Sequence, residues 1–242
     1  MLFFIPVLKD LKPGEQNHTL CLRIYRQSRK KARGEMNWID FVLIGLLLIA
    51  IFIGSKRGLF SGLMGVAGLM AGVIFATNYL DWITTKFLSH MKVSTVMVAF
   101  MGFVVTFVLI YVCAKLLGYV FYKVASLKSL GNLDKVGGAI MGIFNGWIIL
   151  GVILFLFIFL PLPHAFVDQM DNSFFAPGMR GVVPMIYDES TFLHPHSPNL
   201  VNKMKSALRA EPSENAKGVG QFPTDQSAVS RIIGSMEEYF GS

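Results

Sequence analysis

Charge is scarce in this chain. Only 15% of its 242 residues are Asp, Glu, Lys or Arg, against roughly 25% in an average soluble domain. Cysteine is scarcer still. Cys21 and Cys113 are the two present, Cys113 lies inside an apolar block, and no CxxC pair occurs. That excludes a disulfide framework and the usual cysteine spacings of a zinc site. Histidine gives no metal site either. His194 and His196 flank Pro195 and His164 is distant, whereas a metal needs three or four ligands held at defined distances. His164, Asp168 and Ser173 contain the residue types of a catalytic triad, but triads are recognised by arrangement and nothing here fixes one. The glycine-rich GLMGVAGLMAG lacks the lysine and the strand-to-helix context of a phosphate loop. No catalytic residue, metal or cofactor is therefore assigned, and the chain does not read as an enzyme.

What the chain has is long uncharged runs. Hydrophobic residues make up 53%, with 21 Phe, 13 Met and 23 Gly, a mix suited to lipid-facing helices in close contact. The first run, Phe41 to Ser55, is uncharged over 15 residues. Starting its helix at Asn37, with Trp38 and Asp40 near the interface, brings it close to the ~20 residues a bilayer requires. The second extends from Gly58 to Leu80 and the third from Val93 to Ala114, with a possible continuation through LLGYVFYKV. The fourth extends from Val136 to Val167, and Pro161 and Pro163 are expected to end its helix, because proline lacks the N–H a helix interior needs. In hydrocarbon every backbone polar group must be paired within the segment, so these runs are helices.

The expected architecture is an all-α integral membrane protein. Residues 1–35 form a basic N-terminal segment, 36–163 a bundle of four transmembrane helices, and 164–242 a polar tail with amphipathic helices. In the tail, Leu200, Val201, Met204, Ala207 and Leu208 share one helical face, as do Val229, Ile232, Ile233, Met236 and Phe240. Such faces can lie on a membrane surface, pack on a partner, or build a small tail subdomain. The stretch AEPSENAKGVGQFPTDQ between them reads as a linker.

The net charge of +7 is uneven. Residues 1–35 hold eight Lys/Arg and three acids. Basic residues beside a span set topology or touch anionic lipid, and no nucleic-acid motif accompanies them. The expected partners are the lipid bilayer and either a second copy or an envelope or export protein, with no nucleic acid. The first 35 residues do not resemble a signal peptide, since the basic cluster follows the short apolar run instead of preceding it. They are either a juxtamembrane arm or an extension upstream of a start at Met36.

Small residues form stripes on three spans. Gly58, Gly62, Gly65, Gly68, Gly72 and Ala76 fall within an arc of roughly 120° on the second helix. Gly138, Gly142 and Gly146 are spaced by four on the fourth, with Asn145 beside them. Thr95, Gly102, Thr106 and Cys113 share a face on the third. Glycine lets another helix backbone approach closely, and a buried Asn amide hydrogen-bonds across helices. The stripes are expected to meet in a compact bundle. The alternative, a solute path, lacks a charged residue deep in the second, third or fourth run, which such paths usually carry.

Four short motifs occur in a telling order. Met36-Asn37-Trp38-Ile39-Asp40 opens the first helix, and Arg57-Gly58 leads into the second. Leu130-Gly131-Asn132-Leu133-Asp134-Lys135-Val136-Gly137-Gly138 opens the fourth, and Ser173-Phe174-Phe175-Ala176-Pro177 follows it. In this order they resemble the colicin V production protein (CvpA) family of bacterial inner-membrane proteins, over about residues 36–190. The resemblance implies a multi-pass protein, accessory to toxin production or export and to envelope function, with no known catalytic site. It favours a start at Met36. Asp40, Arg57, Asp134, Ser173 and Pro177 match motif positions. Asp40 and Asp134 suit helix N-termini and Arg57 a snorkelling cation between spans, or together they form a polar cluster joining the 55–58 turn to the 128–135 loop.

Topology depends on the start. From Met36, Lys56, Arg57, Lys115, Lys123, Lys128 and Lys135 follow the first and third spans, against Lys86, Lys92 and Arg180 on the other side. That places both termini outside the cytoplasm. Counting the N-terminal eight reverses the answer.

Overall fold

The computed structural model describes residues 36–88, 94–124, 132–190, 199–208 and 223–240. The basic segment 1–35 with Cys21, the pair His194 and His196, and most of the tail linker lie outside the described residues.

The first helix, α1 (Trp38–Arg57), starts at a capping box. Asn37 caps it by accepting from the Trp38 N–H, and Asp40 reaches back to accept from the Asn37 N–H at 2.8 Å. The helix stops at Gly58, whose φ of 82° and ψ of 169° belong to a backbone region essentially reserved for glycine. The chain reverses there into α2 (Leu59–Asn78). After a turn at Tyr79 comes α3 (Leu80–Leu88), a short helix that begins where the second apolar run was expected to end.

The third span is longer than its uncharged core. Helix α4 (Thr95–Val124) is 30 residues. It runs through Lys115 and LLGYVFYKV, the continuation that the sequence left open. Helix α5 (Asn132–Leu156) ends in a 3-10 turn, Phe157–Phe159, and the backbone becomes extended at Leu160 ahead of Pro161. All four long helices, α1, α2, α4 and α5, are long and apolar enough to cross a membrane. Their outer faces carry Phe41, Leu48 and Phe52, Met101, Val105, Leu109 and Leu116, and Ile140 and Phe144, all exposed. Exposed apolar surface this extensive is a lipid-facing belt, with backbone groups paired inside each helix.

The four spans form a row. α1 packs on α5, α5 on α2, and α2 on α4. Glycine sets each seam. A Cβ on Gly142 would lie 2.7 Å from the Ala50 carbonyl oxygen and 3.2 Å from the Gly54 Cα, so α1 and α5 touch backbone to backbone. The α2 stripe divides between two neighbours. Gly62 and Gly65 face Met141 and Asn145 of α5, while Gly68 and Gly72 receive Ala114 and Phe107 of α4. The expected stripe on α4 does not meet the bundle as a unit. Gly102 faces Ile83 of α3, and Cys113 is exposed. The face of α4 that packs is Phe103, Phe107, Tyr111 and Ala114, because bulky rings fill the grooves that glycine opens on α2.

The tail folds back on one end of the bundle. Three short helices, α6 (His164–Asp171), α7 (Ala176–Arg180) and α8 (Val182–Glu189), precede the two with amphipathic patterns, α9 (Leu200–Leu208) and α10 (Pro223–Phe240). The last helix takes in part of the stretch read as linker, with Pro223 in the first turn, where a missing N–H costs nothing. The apolar faces of α9 and α10 do not look outward. Leu200, Met204, Ala207, Leu208, Ile232, Ile233 and Met236 are buried in one cluster with Leu69, Val73, Phe103, Phe155 and Tyr187 of the bundle and α8. A second cluster joins Ile39 and Leu43 of α1 to Leu150, Met170, Ala176 and Met179.

Candidate functional site

Two polar constellations stand at opposite ends of the bundle. At the tail end, Asp40 is fully buried on the first turn of α1. Its carboxylate accepts from the Ser173 hydroxyl at 2.6 Å, from the Phe174 N–H at 3.1 Å and from the Phe175 N–H at 3.0 Å, besides the Asn37 N–H. A buried carboxylate is tolerated when its lone pairs are met in this way. The Ser173 Oγ in turn accepts from the Ala176 N–H, which starts α7, and Pro177 occupies that helix's first turn. Two motifs 133 residues apart therefore form one latch between the first span and the tail. With its hydroxyl donated to Asp40, Ser173 is not set up as a nucleophile of a triad with His164 and Asp168, which share α6.

A second clip holds the last helix. Arg180 is buried, pairs with Asp171 at 3.0 Å, and lays its guanidinium 3.5 Å from the centre of the Tyr239 ring. The Tyr239 hydroxyl donates to Asp171 at 2.8 Å. Burial and the Asp171 carboxylate push its phenol up to about 12. Nothing in the sequence pairs these residues, which lie on three separate tail helices.

At the other end, the Arg57-Gly58 turn meets the start of α5. Asp134 accepts from the Leu59 N–H at 2.8 Å and caps α2 across the bundle, and a Cβ on Gly58 would collide with its carboxylate. The turn and the Asp134 region are thus joined, but by a backbone amide. Gly138 lies against Gly54 and Gly58.

Between this turn and mid-bundle is a cleft of about 140 Å³. Its floor is α2 and α5, through Ser61, Gly62, Gly65, Gly142, Asn145 and Gly146. Arg57 of α1 and Lys115 and Tyr111 of α4 line its walls. Asn145 donates to the Gly62 carbonyl at 2.9 Å across helices and to the Met141 carbonyl at 2.8 Å in its own helix, while its carboxamide oxygen is buried with no donor. Lys115 donates to the Tyr111 hydroxyl at 3.1 Å. Tyr111 lies one helical turn earlier in α4, and both side chains line the cleft. Lys115, which borders the uncharged run, lies within α4. A cationic side chain embedded in a long apolar helix breaks the uncharged run without breaking the helix. Gly72 and Phe107 lie further along the α2–α4 seam, outside this cleft.

This arrangement defines a helical membrane protein of four spans whose own C-terminal segment covers one end of the bundle while a polar cleft indents the other. The family model described as colicin V production protein matches residues 39–184. That is well over half of the chain, which belongs to the colicin V production protein family. The matched interval contains Asp40, Arg57, Asp134, Ser173 and Pro177, while α9 and α10 lie beyond it. No curated protein and no solved structure matches the chain.

Proposed function

We propose that the chain is an inner-membrane accessory protein, serving toxin production or export and envelope function, and acting through a partner at the tail-bearing face. Membership of the family supports the general role. The observation that carries the finer reading is the docked tail. Asp40 and Ser173 latch the start of α7, Arg180 clips α6 and α10, and buried apolar faces seat α8 and α9. One end of the bundle therefore carries a folded surface suited to an envelope or export protein. The tail half of the bundle is packed with Leu69, Val73, Phe103 and Phe155, which favours an accessory over a conduit.

The orientation of that face follows from charge. Counted from Met36 and leaving Lys115 out, Lys56, Arg57, Lys123, Lys128 and Lys135 outnumber Lys86, Lys92 and Arg180, whereas the eight Lys/Arg of residues 1–35 reverse the count. The count from Met36 favours a tail outside the cytoplasm. Fusions of alkaline phosphatase and of green fluorescent protein to the C-terminus test this, with phosphatase activity and a dark fluorophore expected. The role itself is tested in a toxin-producing strain deleted for its family member. Wild-type chain should restore the zone of growth inhibition, and Asp40→Ala should not. Full restoration by Asp40→Ala at equal protein level would detach function from the latched tail.

A second reading, a small solute channel or transporter, is favoured by Lys115 and Asn145 in the cleft. Proteoliposome flux by the wild type that disappears on Lys115→Gln at equal folded yield would move the assignment there.

A further inference from the structure

We propose that the cleft between α1 and α4 binds a phosphate-type anion at membrane depth. The first observation is charge. Lys115 and Arg57 both line the cleft, and no acidic side chain does. The Lys115 ammonium has the Tyr111 hydroxyl at 3.1 Å and the Tyr111 ring at 5.2 Å, and forms no ion pair among the described residues. A cation within a span is costly and normally finds a counter-charge. Here the protein supplies a phenol in its place, so the counter-charge comes from outside.

The second observation is the rest of the lining. Ser61 contributes a hydroxyl, and the Asn145 carboxamide forms part of the polar floor. Arg57 offers a planar fork that matches two oxygens of one phosphate. Size fits as well. The cleft, of about 140 Å³, has room for a phosphate group. The walls indicate the carrier. α1 and α4 pack on the floor helices α5 and α2 and not closely on each other, so the cleft faces the bilayer laterally as well as the membrane surface. Such an opening admits the headgroup of an acidic lipid. A free phosphate entering from the surface would meet the same groups.

The test uses the full-length protein in neutral detergent, with native mass spectrometry of bound lipid. Phosphatidylglycerol should be retained about fivefold or more over phosphatidylcholine, with Lys115→Gln lowering retention about fivefold and Lys115→Arg restoring it. In a second arm, inorganic phosphate is added to protein in phosphatidylcholine. A rise in the unfolding temperature with phosphate, absent in Lys115→Gln and without a phosphatidylglycerol preference, assigns the site to a free anion. If Lys115→Gln does not fold, Arg57→Gln, at an exposed helix end, takes its place. Equal retention of the two lipids by wild type together with no response to phosphate would overturn the proposal. So would unchanged retention in both variants.

Discussion

The two ends of the bundle solve the same packing problem in different ways. At the tail end, bulky side chains from spans and tail interlock: Phe103, Phe155, Tyr187, Met204 and Met236 are all buried in one cluster. At the other end, glycines bring helix backbones together, with Gly54, Gly58, Gly138 and Gly142 in direct apposition. The difference teaches where adaptability lies. A side-chain core can rearrange rotamers around a small change, whereas a backbone-to-backbone seam has nothing to move. The seam also leaves room beside it, and that room is the polar cleft.

The largest effect is expected at the seam. Gly142→Leu drives a side chain into the Ala50 carbonyl and the Ile51 and Gly54 backbones, so folded yield in fluorescence-detected size exclusion should collapse. Gly45→Leu, on the same pair of helices but with open space around it, should leave the elution profile unchanged. Equal behaviour of the two would mean that α1 and α5 do not meet backbone to backbone at Gly142.

The next effect is at the tail latch. Asp40→Ala removes the acceptor of four donors, each worth about 1.5–3 kcal/mol when the acceptor is charged. The tail should then become protease-sensitive while the four spans remain folded. Ser173→Ala removes one of those bonds and should have a correspondingly smaller effect.

Tyr239 sharpens the comparison through pH. Its phenol is held up to about 12 in the folded chain, above its ordinary value of 10.0, so the folded state binds that proton more tightly. Its contribution to tail docking is present below pH 10 and is lost as pH rises through about 12. Tail protection from protease should decline across that window in wild type, and the decline should be shallower in Tyr239→Phe. Tyr239→Phe itself should cost about 1.5–3 kcal/mol from the lost bond to the Asp171 carboxylate. The smallest effect belongs to the Lys205–Glu237 pair between α9 and α10, where Glu237 is half exposed. Lys205→Ala should change thermal stability by less than about 1 kcal/mol, and salt should mask the change.

Much of this architecture was legible because membrane helices obey a one-dimensional rule. Long apolar runs, the glycine stripes and the proline stop at Pro161 are local signals. The amphipathic faces of α9 and α10 were legible too, but not what covers them. Helices α6, α7 and α8 escaped, because segments of five to eight residues containing Pro177, Gly178 and Pro184 are too short for a 3.6-residue period to show. The third-span stripe was misread for a related reason. Small size at Cys113 suggested an interface, yet it was the bulk of Phe107 and Tyr111 that the neighbouring glycines had room for.

The amino-acid sequence by itself determined that the chain is helical, that four helices suit a bilayer, and that their glycines favour close packing. Each of these follows from transfer free energy and from sterics within a few turns of chain. Only the tertiary structure decided that Asp40 meets Ser173, that Arg180 and Tyr239 clip the tail, and that Lys115 points into a cleft beside Asn145. Those facts depend on which helix faces which. A period of 3.6 residues reveals a face and not its partner, and the partner is chosen by shape and polar pairing between segments far apart in the chain.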